Sequence, residues 1–350
     1  MKIAVIDADF IGRYRHRFPN LTCMKLSGWH KSCGDEVTLK TNYDGLENFD
    51  KVYIAKVFTD TMIPDDGLFG NPLDLPNVEY GGTGFFYDNA KPLPYEIEHC
   101  KPDYHLYDCI ASINNAADLK FYSDYSIGFT TRGCFRHCPF CVNRRSNKVV
   151  KHSPLAEFVE PSRKKICLLD DNFFGCDDWK NILLELIQFD KPFQFRQGLD
   201  ARLLDDDKAR LLFSAKYDGD FTFAFDDWKD AYIVEEKLKL IRRHYKVRHK
   251  VKFYTLCAYD RTGNYSEEFW QNDLIETCKR LEMLNRYECL GYVMRFNRYL
   301  ESPHRKIYND LAAYVNQPQF FYKMPFAEFH AKRQKSPDSF VNQLQEILGR

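Results

Sequence analysis

The sequence predicts an α/β protein in which a small open, mainly parallel sheet precedes a partial barrel of six strand–helix units. Two observations lead to this prediction. Short apolar runs that end in polar or Gly-rich turns recur through residues 1–117, and strand-like runs alternate with helix-like runs through residues 121–298. Residues 299–350 hold a Pro-punctuated aromatic stretch and a final helical run, which we interpret as an extension that covers the barrel.

Three strand candidates define the first segment. Ile3–Ile6 and Val52–Val57 are short apolar runs, and a third candidate ends in the Gly-rich run Gly81–Gly84. Strands that are separated by connecting segments and end in such turns predict a small open sheet of mainly parallel strands. The Pro-rich and aromatic stretch 91–108 is interpreted as a linker that lies against the next domain.

The middle segment alternates strands with helices of the right length for crossover connections. The strand candidates are Ser126–Thr131, Ile166–Leu169, Phe193–Arg196, Phe221–Phe225, Val251–Leu256 and Leu290–Phe296. The helical candidates are Trp179–Gln188, Asp205–Ser214, Ala231–Tyr245 and Glu267–Leu284. This is the pattern of a partial (β/α)6, TIM-like barrel, whose active sites lie at the carboxyl ends of the strands. The residues that follow each strand are therefore the candidates for chemistry.

Composition narrows the class of protein. Lys plus Arg and Asp plus Glu balance at 50 each, which gives no indication of nucleic-acid or membrane binding, although a local basic patch is compatible with this balance. No stretch approaches the roughly 20 apolar residues of a membrane span, and the order of apolar and basic residues at the start does not match a secretory signal. We therefore expect a cytoplasmic protein, in which 12 cysteines serve metal ligation or catalysis rather than disulfides.

A triplet of cysteines follows the first predicted barrel strand. Cys134, Cys138 and Cys141 have the spacing Cys-x3-Cys-x2-Cys, and three soft thiolates on a short loop can bind three irons of a cubane [4Fe–4S] cluster. The fourth iron is then open to an exogenous amino acid group, which a four-cysteine electron carrier would not allow. The alternatives are a zinc site completed by His137 or His152, and incidental core cysteines.

The spacing of this triplet, with the aromatic Phe140 before the third cysteine, resembles the signature of the radical S-adenosylmethionine (SAM) superfamily. The six-unit partial barrel is similar to that family's fold. The resemblance implies that SAM chelates the open iron and that an electron from the cluster cleaves the sulfonium to yield a 5′-deoxyadenosyl radical. It also implies a reducing partner such as flavodoxin or ferredoxin, and a cofactor-binding role for Phe140.

Acidic and amide side chains close the second predicted strand. Asp170, Asp171 and Asn172 resemble the Asp-Asp-Asn-Phe run at the same place in radical SAM proteins that carry cobalamin-binding-like N-terminal domains. We expect them to hold the cationic amino group of SAM. The alternative is a helix cap, although Asp177 or Asp178 before the next helix already serves that purpose.

The third strand supplies further candidates. Arg196 or Gln197 could bind the SAM carboxylate or the substrate, because arginine is suited to bidentate carboxylate contacts. A structural salt bridge with Asp200 is the alternative role for Arg202.

Asp226 after the fourth strand is a candidate for a ribose hydroxyl, with Asp227 capping the following helix as the alternative. Arg295 on the sixth strand is the best candidate there for an anionic or polar substrate group, the alternative being a strand-end arginine exposed to water.

The first segment resembles the Rossmann-like cobalamin-binding domain of one radical SAM class. The likeness lies in the order of strands, in Gly81–Gly84 and in Pro102–Asp103–Tyr104, while the Asp-x-His-x-x-Gly that would supply a histidine to cobalt is missing from the sequence. A working cobalamin domain implies a methyltransferase, and a degenerate one a cobalamin-free enzyme that abstracts hydrogen for another C–H functionalisation. From a different class, the alternative is a non-catalytic iron–sulfur redox or metal-sensing protein.

Overall fold

The computed structural model describes residues 1–13, 18–65, 70–108, 120–336 and 338–349. They form a mixed α/β fold with parallel sheets, which confirms the predicted fold class at that level. The chain divides into two compact units, Met1–Leu169 and Asp170–Arg350. The predicted division into segments 1–117, 121–298 and 299–350 stays a prediction. Within the described ranges, none of the helices is both long enough and apolar enough to cross a bilayer.

The first unit contains eight strands and six helices within its described ranges. The strands are β1 (Lys2–Asp7), β2 (Glu36–Lys40), β3 (Lys51–Ala55), β4 (Val78–Gly81), β5 (Tyr125–Gly128), β6 (Thr131–Arg132), β7 (Val150–Lys151) and β8 (Lys165–Leu168). The helices are α1 (Ala8–Gly12), α2 (Leu21–Ser32), α3 (Thr83–Phe86), α4 (Tyr95–Glu98), α5 (Lys120–Ser123) and α6 (Leu155–Phe158).

Four parallel strands form the N-terminal sheet in the order β2-β1-β3-β4. The central strand β1 is buried from Ile3 to Asp7, as expected for a parallel strand with both faces covered. Helix α2 packs on this sheet and begins where the side chain of Asn20 accepts a hydrogen bond from the Cys23 amide (3.3 Å). Three of these strands are predicted from the sequence, whereas β2, a partly exposed strand at the edge of the sheet, is not.

A buried arginine holds the first two strands of the predicted barrel. Strand β5 pairs in parallel with β8. Arg163, only 8% exposed, donates to the carbonyl oxygens of Tyr122 (2.6 Å), Tyr125 (3.0 Å) and Tyr104 (2.7 Å). The Tyr104 hydroxyl donates in turn to the Phe158 carbonyl (2.6 Å) and accepts from the Ile127 amide (2.9 Å). The 91–108 stretch is thereby bonded to the start of β5.

The second unit contains four strands and eight helices within its described ranges. The strands are β9 (Phe193–Phe195), β10 (Phe221–Ala224), β11 (Val251–Cys257) and β12 (Leu290–Arg295). The helices are α7 (Trp179–Gln188), α8 (Asp206–Ser214), α9 (Ala231–His244), α10 (Glu267–Arg286), α11 (Arg305–Val315), α12 (Pro318–Phe321), α13 (Phe326–Gln334) and α14 (Ser339–Leu348).

Strands β10, β11 and β12 form a parallel sheet that is covered by helices on one face. Alternate residues of β11 are buried, among them Phe253 and Cys257, and Cys257 belongs to a core shared with α10 and α11. Gly291 on β12 lies under α10, where a Cβ would be 2.3 Å from Leu281 Cδ2. The close packing of this helix on the sheet therefore requires glycine at that position.

All six predicted barrel strands and all four predicted helices are present, with ends that shift by three residues or fewer. Long apolar periodic segments are the part of a sequence that determines local structure most directly. No barrel is detected among the described strands, so barrel closure stays a prediction.

A second buried arginine, Arg280 on α10, joins the carboxyl ends of β10 and β11. It is 2% exposed, and its guanidinium donates to the carbonyl oxygens of Phe225 (3.0 Å) and Leu256 (2.9 Å). Two carboxylates, Asp226 and Asp273, lie close enough for the arginine charge to lower their pKa, although burial is the larger effect and raises the pKa of both. The arginine therefore both satisfies strand-end carbonyls and balances the charge of two partly buried carboxylates.

We expect Arg280→Met to lower the free energy of unfolding of the second unit by about 3–5 kcal/mol, because it leaves buried carbonyls and carboxylates without their cation. Urea unfolding followed by tryptophan fluorescence, to which the buried Trp270 on the same helix contributes, measures the change. Arg286→Met is the control, because Arg286 is exposed, pairs only with surface glutamates and contributes less than about 1 kcal/mol. Equal stability of the two variants would contradict this role.

Candidate functional site

The cysteine triplet lies on a loop that is closed at its base by a short hairpin. Strands β6 and β7 pair antiparallel, Thr131 with Lys151 and Arg132 with Val150, and residues 133–149 lie between them. Gly133 leaves the first strand with a φ of +96°, and a Cβ there would lie 2.3 Å from the Lys148 carbonyl oxygen. Glycine is therefore required where the two chain segments of the loop come together.

The three cysteines themselves are partly exposed. The Cys141 amide donates to the Cys138 carbonyl oxygen (2.9 Å), which folds the second and third cysteines into one turn. The Asn143 amide donates to Cys141 Sγ (3.4 Å). Amide-to-sulfur hydrogen bonds stabilise a thiolate and are one of the means by which a protein tunes an iron–sulfur cluster.

A buried carboxylate ties the far side of the loop to the segment after β4. The Asp88 side chain, 6% exposed, accepts from Arg144 Nε (2.6 Å) and Arg145 Nε (3.0 Å). The hydrogen bond from Arg144, and then the one from Arg145, lower the pKa of Asp88. The Tyr87 hydroxyl donates to the Phe140 carbonyl oxygen (2.6 Å). The loop is therefore fixed on both sides of Phe140 and Cys141.

The donor chemistry of the triplet suits an iron–sulfur cluster, because its three thiols are soft ligands and none of them is in a disulfide. Among those residues, however, no group of three or more His, Cys, Asp or Glu is gathered so as to hold a metal ion. His137 Nδ1 lies 2.6 Å from the Arg144 carbonyl oxygen, and His152 Nδ1 lies 3.0 Å from Ser153 Oγ. Ligation of a metal by Cys134, Cys138 and Cys141 stays a prediction.

Asp170, Asp171 and Asn172 open the second unit. Asp170 and Asn172 are buried at 1% and 3% exposure, and Asp171 is partly exposed. Helix α7 begins after Asp178, whose carboxylate accepts from the Asn181 side chain (2.6 Å). The helix therefore does not use Asp170–Asn172 as its cap, and the role of these residues toward SAM stays a prediction.

The uncovered face of the β10-β11-β12 sheet presents aromatic and apolar side chains. The strand register places Ala224, Tyr254 and Tyr292 side by side, with Leu256 and Met294 one step further along. Tyr292 and Met294 are 40% and 44% exposed. This face is a partly open apolar surface.

Arg196 and Gln197 follow β9 and are exposed. Burial raises the pKa of Tyr254, and the Arg196 charge partly offsets this effect, so Arg196 lies near the same face. Gly198, with a φ of +87°, would bring a Cβ to 3.4 Å from the Tyr254 ring. Arg196 and Gln197, the candidates after the third predicted strand, therefore lie next to the apolar surface and place hydrogen-bond donors at its edge.

Other predicted residues make structural contacts. Arg202 pairs with Asp200 (2.8 Å) and Asp230 (2.7 Å), so the structural salt bridge predicted between Arg202 and Asp200 is present, although the arginine is partly exposed rather than buried. Asp226 accepts from the Leu256 amide (3.0 Å) beside Arg280, and its role toward a ribose stays a prediction. Asp227 accepts from the Lys229 amide (3.0 Å) and caps the short helical turn that follows, which confirms the capping role given as the alternative.

Arg295 lies on the helix-covered face of the sheet. It is paired in register with Cys257, two residues after the buried Val293, and its guanidinium contacts the Asn309 side chain on α11. Met294 points to the opposite, uncovered face. The face of β12 on which Arg295 lies could not be predicted from the sequence, because this assignment depends on which face of the sheet the helices cover.

The Gly-rich run after β4 packs against the protein itself. A Cβ on Gly82 would lie 2.3 Å from the Lys56 carbonyl oxygen, and one on Gly84 would lie 2.8 Å from that of Phe58. At the end of β1, Asp9 accepts from the Val57 amide (2.6 Å) and from Thr61 Oγ1 (2.5 Å). These residues therefore have internal structural roles at the edge of the sheet where a cobalamin domain would bind its ligand.

Two stacked histidines lie just beyond β7, with ring centroids of His99 and His152 4.8 Å apart. His99 Nδ1 is 2.9 Å from Glu157, and His152 Nε2 is 3.5 Å from Glu98. Burial lowers the pKa of His152 from 6.5 to about 4, although the Glu98 charge opposes this effect. The neutral ring is therefore the form that the folded protein favours.

We expect the stability of the first unit to fall as pH falls from 6.5 to about 4, because the unfolded chain takes up a proton on His152 that the folded chain rejects. The contribution of this residue is up to about 3 kcal/mol. His152→Gln flattens the dependence of the unfolding free energy on pH over that interval. His105→Gln, at an exposed histidine, leaves it unchanged, and an unaltered slope in His152→Gln would contradict the assignment.

Comparison of the chain with protein-family models, with curated proteins and with solved structures finds no match, so sequence and geometry alone carry the functional argument.

Proposed function

We propose that this protein is a radical SAM enzyme, which reductively cleaves SAM at a [4Fe–4S] cluster to make a 5′-deoxyadenosyl radical for a C–H functionalisation. Cys134, Cys138 and Cys141 would hold the cluster. The observation that carries the proposal is the Cys-x3-Cys-x2-Cys spacing on the loop between β6 and β7, which follows β5, with the thiols partly exposed and outside any disulfide. The anchoring of the loop through Gly133 and Asp88 supports a role that needs a fixed conformation.

When bound, the cluster would supply single electrons to the sulfonium of SAM. The chain's own residues would bind and orient the cofactor. Asp170 and Asn172 offer buried oxygen acceptors for its amino group, and Arg196 and Gln197 offer donors for its carboxylate. The apolar face around Tyr254 and Tyr292 would exclude water from a reactive radical.

The same proposal includes a more specific fold than the mixed α/β class. The parallel pairing of β5 with β8, and of β10, β11 and β12 with each other, supports a partial (β/α)6 TIM-like barrel. The N-terminal parallel sheet, in the order β2-β1-β3-β4, supports a Rossmann-like domain. The described cysteines, which form no disulfide with one another, support a reducing, cytoplasmic setting with flavodoxin or ferredoxin as the electron donor.

We favour a cobalamin-free reaction over a cobalamin-dependent methyl transfer. The internal packing of Gly82 and Gly84 on the Lys56–Phe58 segment supports a degenerate cobalamin-like domain, since it accounts for these glycines without a corrin tail. The spectrum of protein reconstituted with iron, sulfide and cobalamin tests this choice, and a bound corrin would reverse it.

The proposed SAM cleavage activity is tested by anaerobic reconstitution of the protein with iron and sulfide, followed by reduction in the presence of SAM. We expect 5′-deoxyadenosine from the wild-type protein. Cys138→Ala should lose the brown absorbance, most of its iron and sulfide, and 5′-deoxyadenosine formation, because two thiols do not hold the cluster.

Cys33→Ala is the matched control for this test, because it removes an exposed thiol outside the triplet and should change neither readout. A fully clustered wild-type sample that does not cleave SAM would favour the redox or metal-sensing alternative. Retention of cluster and cleavage by Cys138→Ala would contradict the ligand assignment.

A further inference from the structure

A cavity of about 430 Å³ opens on the helix-covered side of β12. It lies between the end of that strand and helices α11 and α13. Its polar lining includes three cationic side chains, Arg295, Lys306 and Arg333, and one carboxylate, Asp310. The cavity is thus distinct from the apolar face, which lies on the opposite side of the same strand.

The single carboxylate in this cavity is already satisfied. Asp310 is fully buried and accepts from Arg333 Nε (2.6 Å) and from the Gln334 side chain (2.7 Å). His330 Nδ1 lies 2.9 Å from its second oxygen. Asp310 therefore neutralises one cation and leaves the cavity with a net charge of about +2 from Arg295 and Lys306.

The groups that remain available in the cavity are mostly donors. The Lys306 ammonium has no ion-pair partner among the residues that the structure describes. Arg295 contacts Asn309 through one amino group and lies over the Tyr299 ring at 4.5 Å, which orients the rest of its guanidinium. Arg333 bonds Asp310 through Nε, so its two terminal amino groups can serve a ligand.

We propose that this cavity binds a phosphate-bearing small molecule. Its unused donors and its positive charge suit a ligand that carries several acceptors and negative charge, which phosphate groups supply. The volume exceeds that of a single oxyanion and lies in the range of small-molecule sites, so a diphosphate or a phosphate ester fits better than a lone ion. The inference is independent of the radical SAM proposal.

Isothermal titration of the full-length protein with inorganic pyrophosphate at low salt tests the site. We expect saturable binding that Lys306→Gln weakens about tenfold or more, because one charged hydrogen-bond donor is lost. Lys306 is exposed and forms no ion pair with another described residue, so its replacement should leave the fold intact.

Lys332→Gln is the matched control, because it changes the net charge equally while Lys332 pairs with Glu328 (2.6 Å) and does not line the cavity. Its affinity should equal that of the wild type. Absence of saturable binding, or equal losses in the two variants, would overturn the site, since equal losses indicate diffuse electrostatics.

Two further measurements distinguish a small phosphate-bearing molecule from a nucleic-acid backbone and separate this site from the radical chemistry. An oligoribonucleotide without terminal phosphates should bind no more weakly to Lys306→Gln than to Lys332→Gln, and a selective loss would replace the small molecule with a nucleic-acid backbone. Cys138→Ala should bind pyrophosphate as the wild type does. The site and the radical chemistry can therefore fail separately.

Discussion

The buried guanidinium of Arg280 is the interaction on which the second unit depends most. It bonds the carbonyl groups of Phe225 and Leu256, at the carboxyl ends of β10 and β11, where ladder bonds stop and backbone oxygens would otherwise be unsatisfied. Its charge also offsets the burial of Asp226 and Asp273. The ends of β10 and β11, which present Ala224 and Tyr254, are therefore held by one side chain on α10, and their positions are set by the core rather than by surface loops.

The first unit contains a similar buried arginine at the start of β5. Arg163 donates to three backbone carbonyls, those of Tyr104, Tyr122 and Tyr125. Arginine suits this task because its several donors diverge in a plane and it stays charged when buried. The strand that leads to the cysteine loop thus begins from a fixed point. Asp88 then fixes the far side of the loop, so the cysteines are constrained from both ends.

Local structure was predictable from the sequence where apolar periodicity is strong, as in β11 and α10, because burial of a periodic face determines the element. Contacts between segments that are distant in the sequence were not predictable. Asp88 and Arg144 are 56 residues apart, and neither lies in a pattern that indicates the pair. The Gly81–Gly84 run indicated close approach correctly, but its neighbour is the backbone of Lys56 and not a ligand. The Cys-x3-Cys-x2-Cys spacing is evident from the sequence alone, whereas ligation of a cluster by these cysteines stays a prediction, because no group of three metal-binding side chains is gathered among the described residues.

Strand β12 shows why strand orientation matters for the function of this chain. Neighbouring residues of a strand point to opposite faces, so Met294 and Arg295 belong to different surfaces although they are adjacent in sequence. One surface is aromatic and apolar, and the other is cationic around Lys306. A chain with no net charge can thus keep a strongly basic cavity, because its balancing carboxylates pair with other groups elsewhere. Binding of an anion on the cationic face therefore need not disturb the apolar face on the other side of the strand.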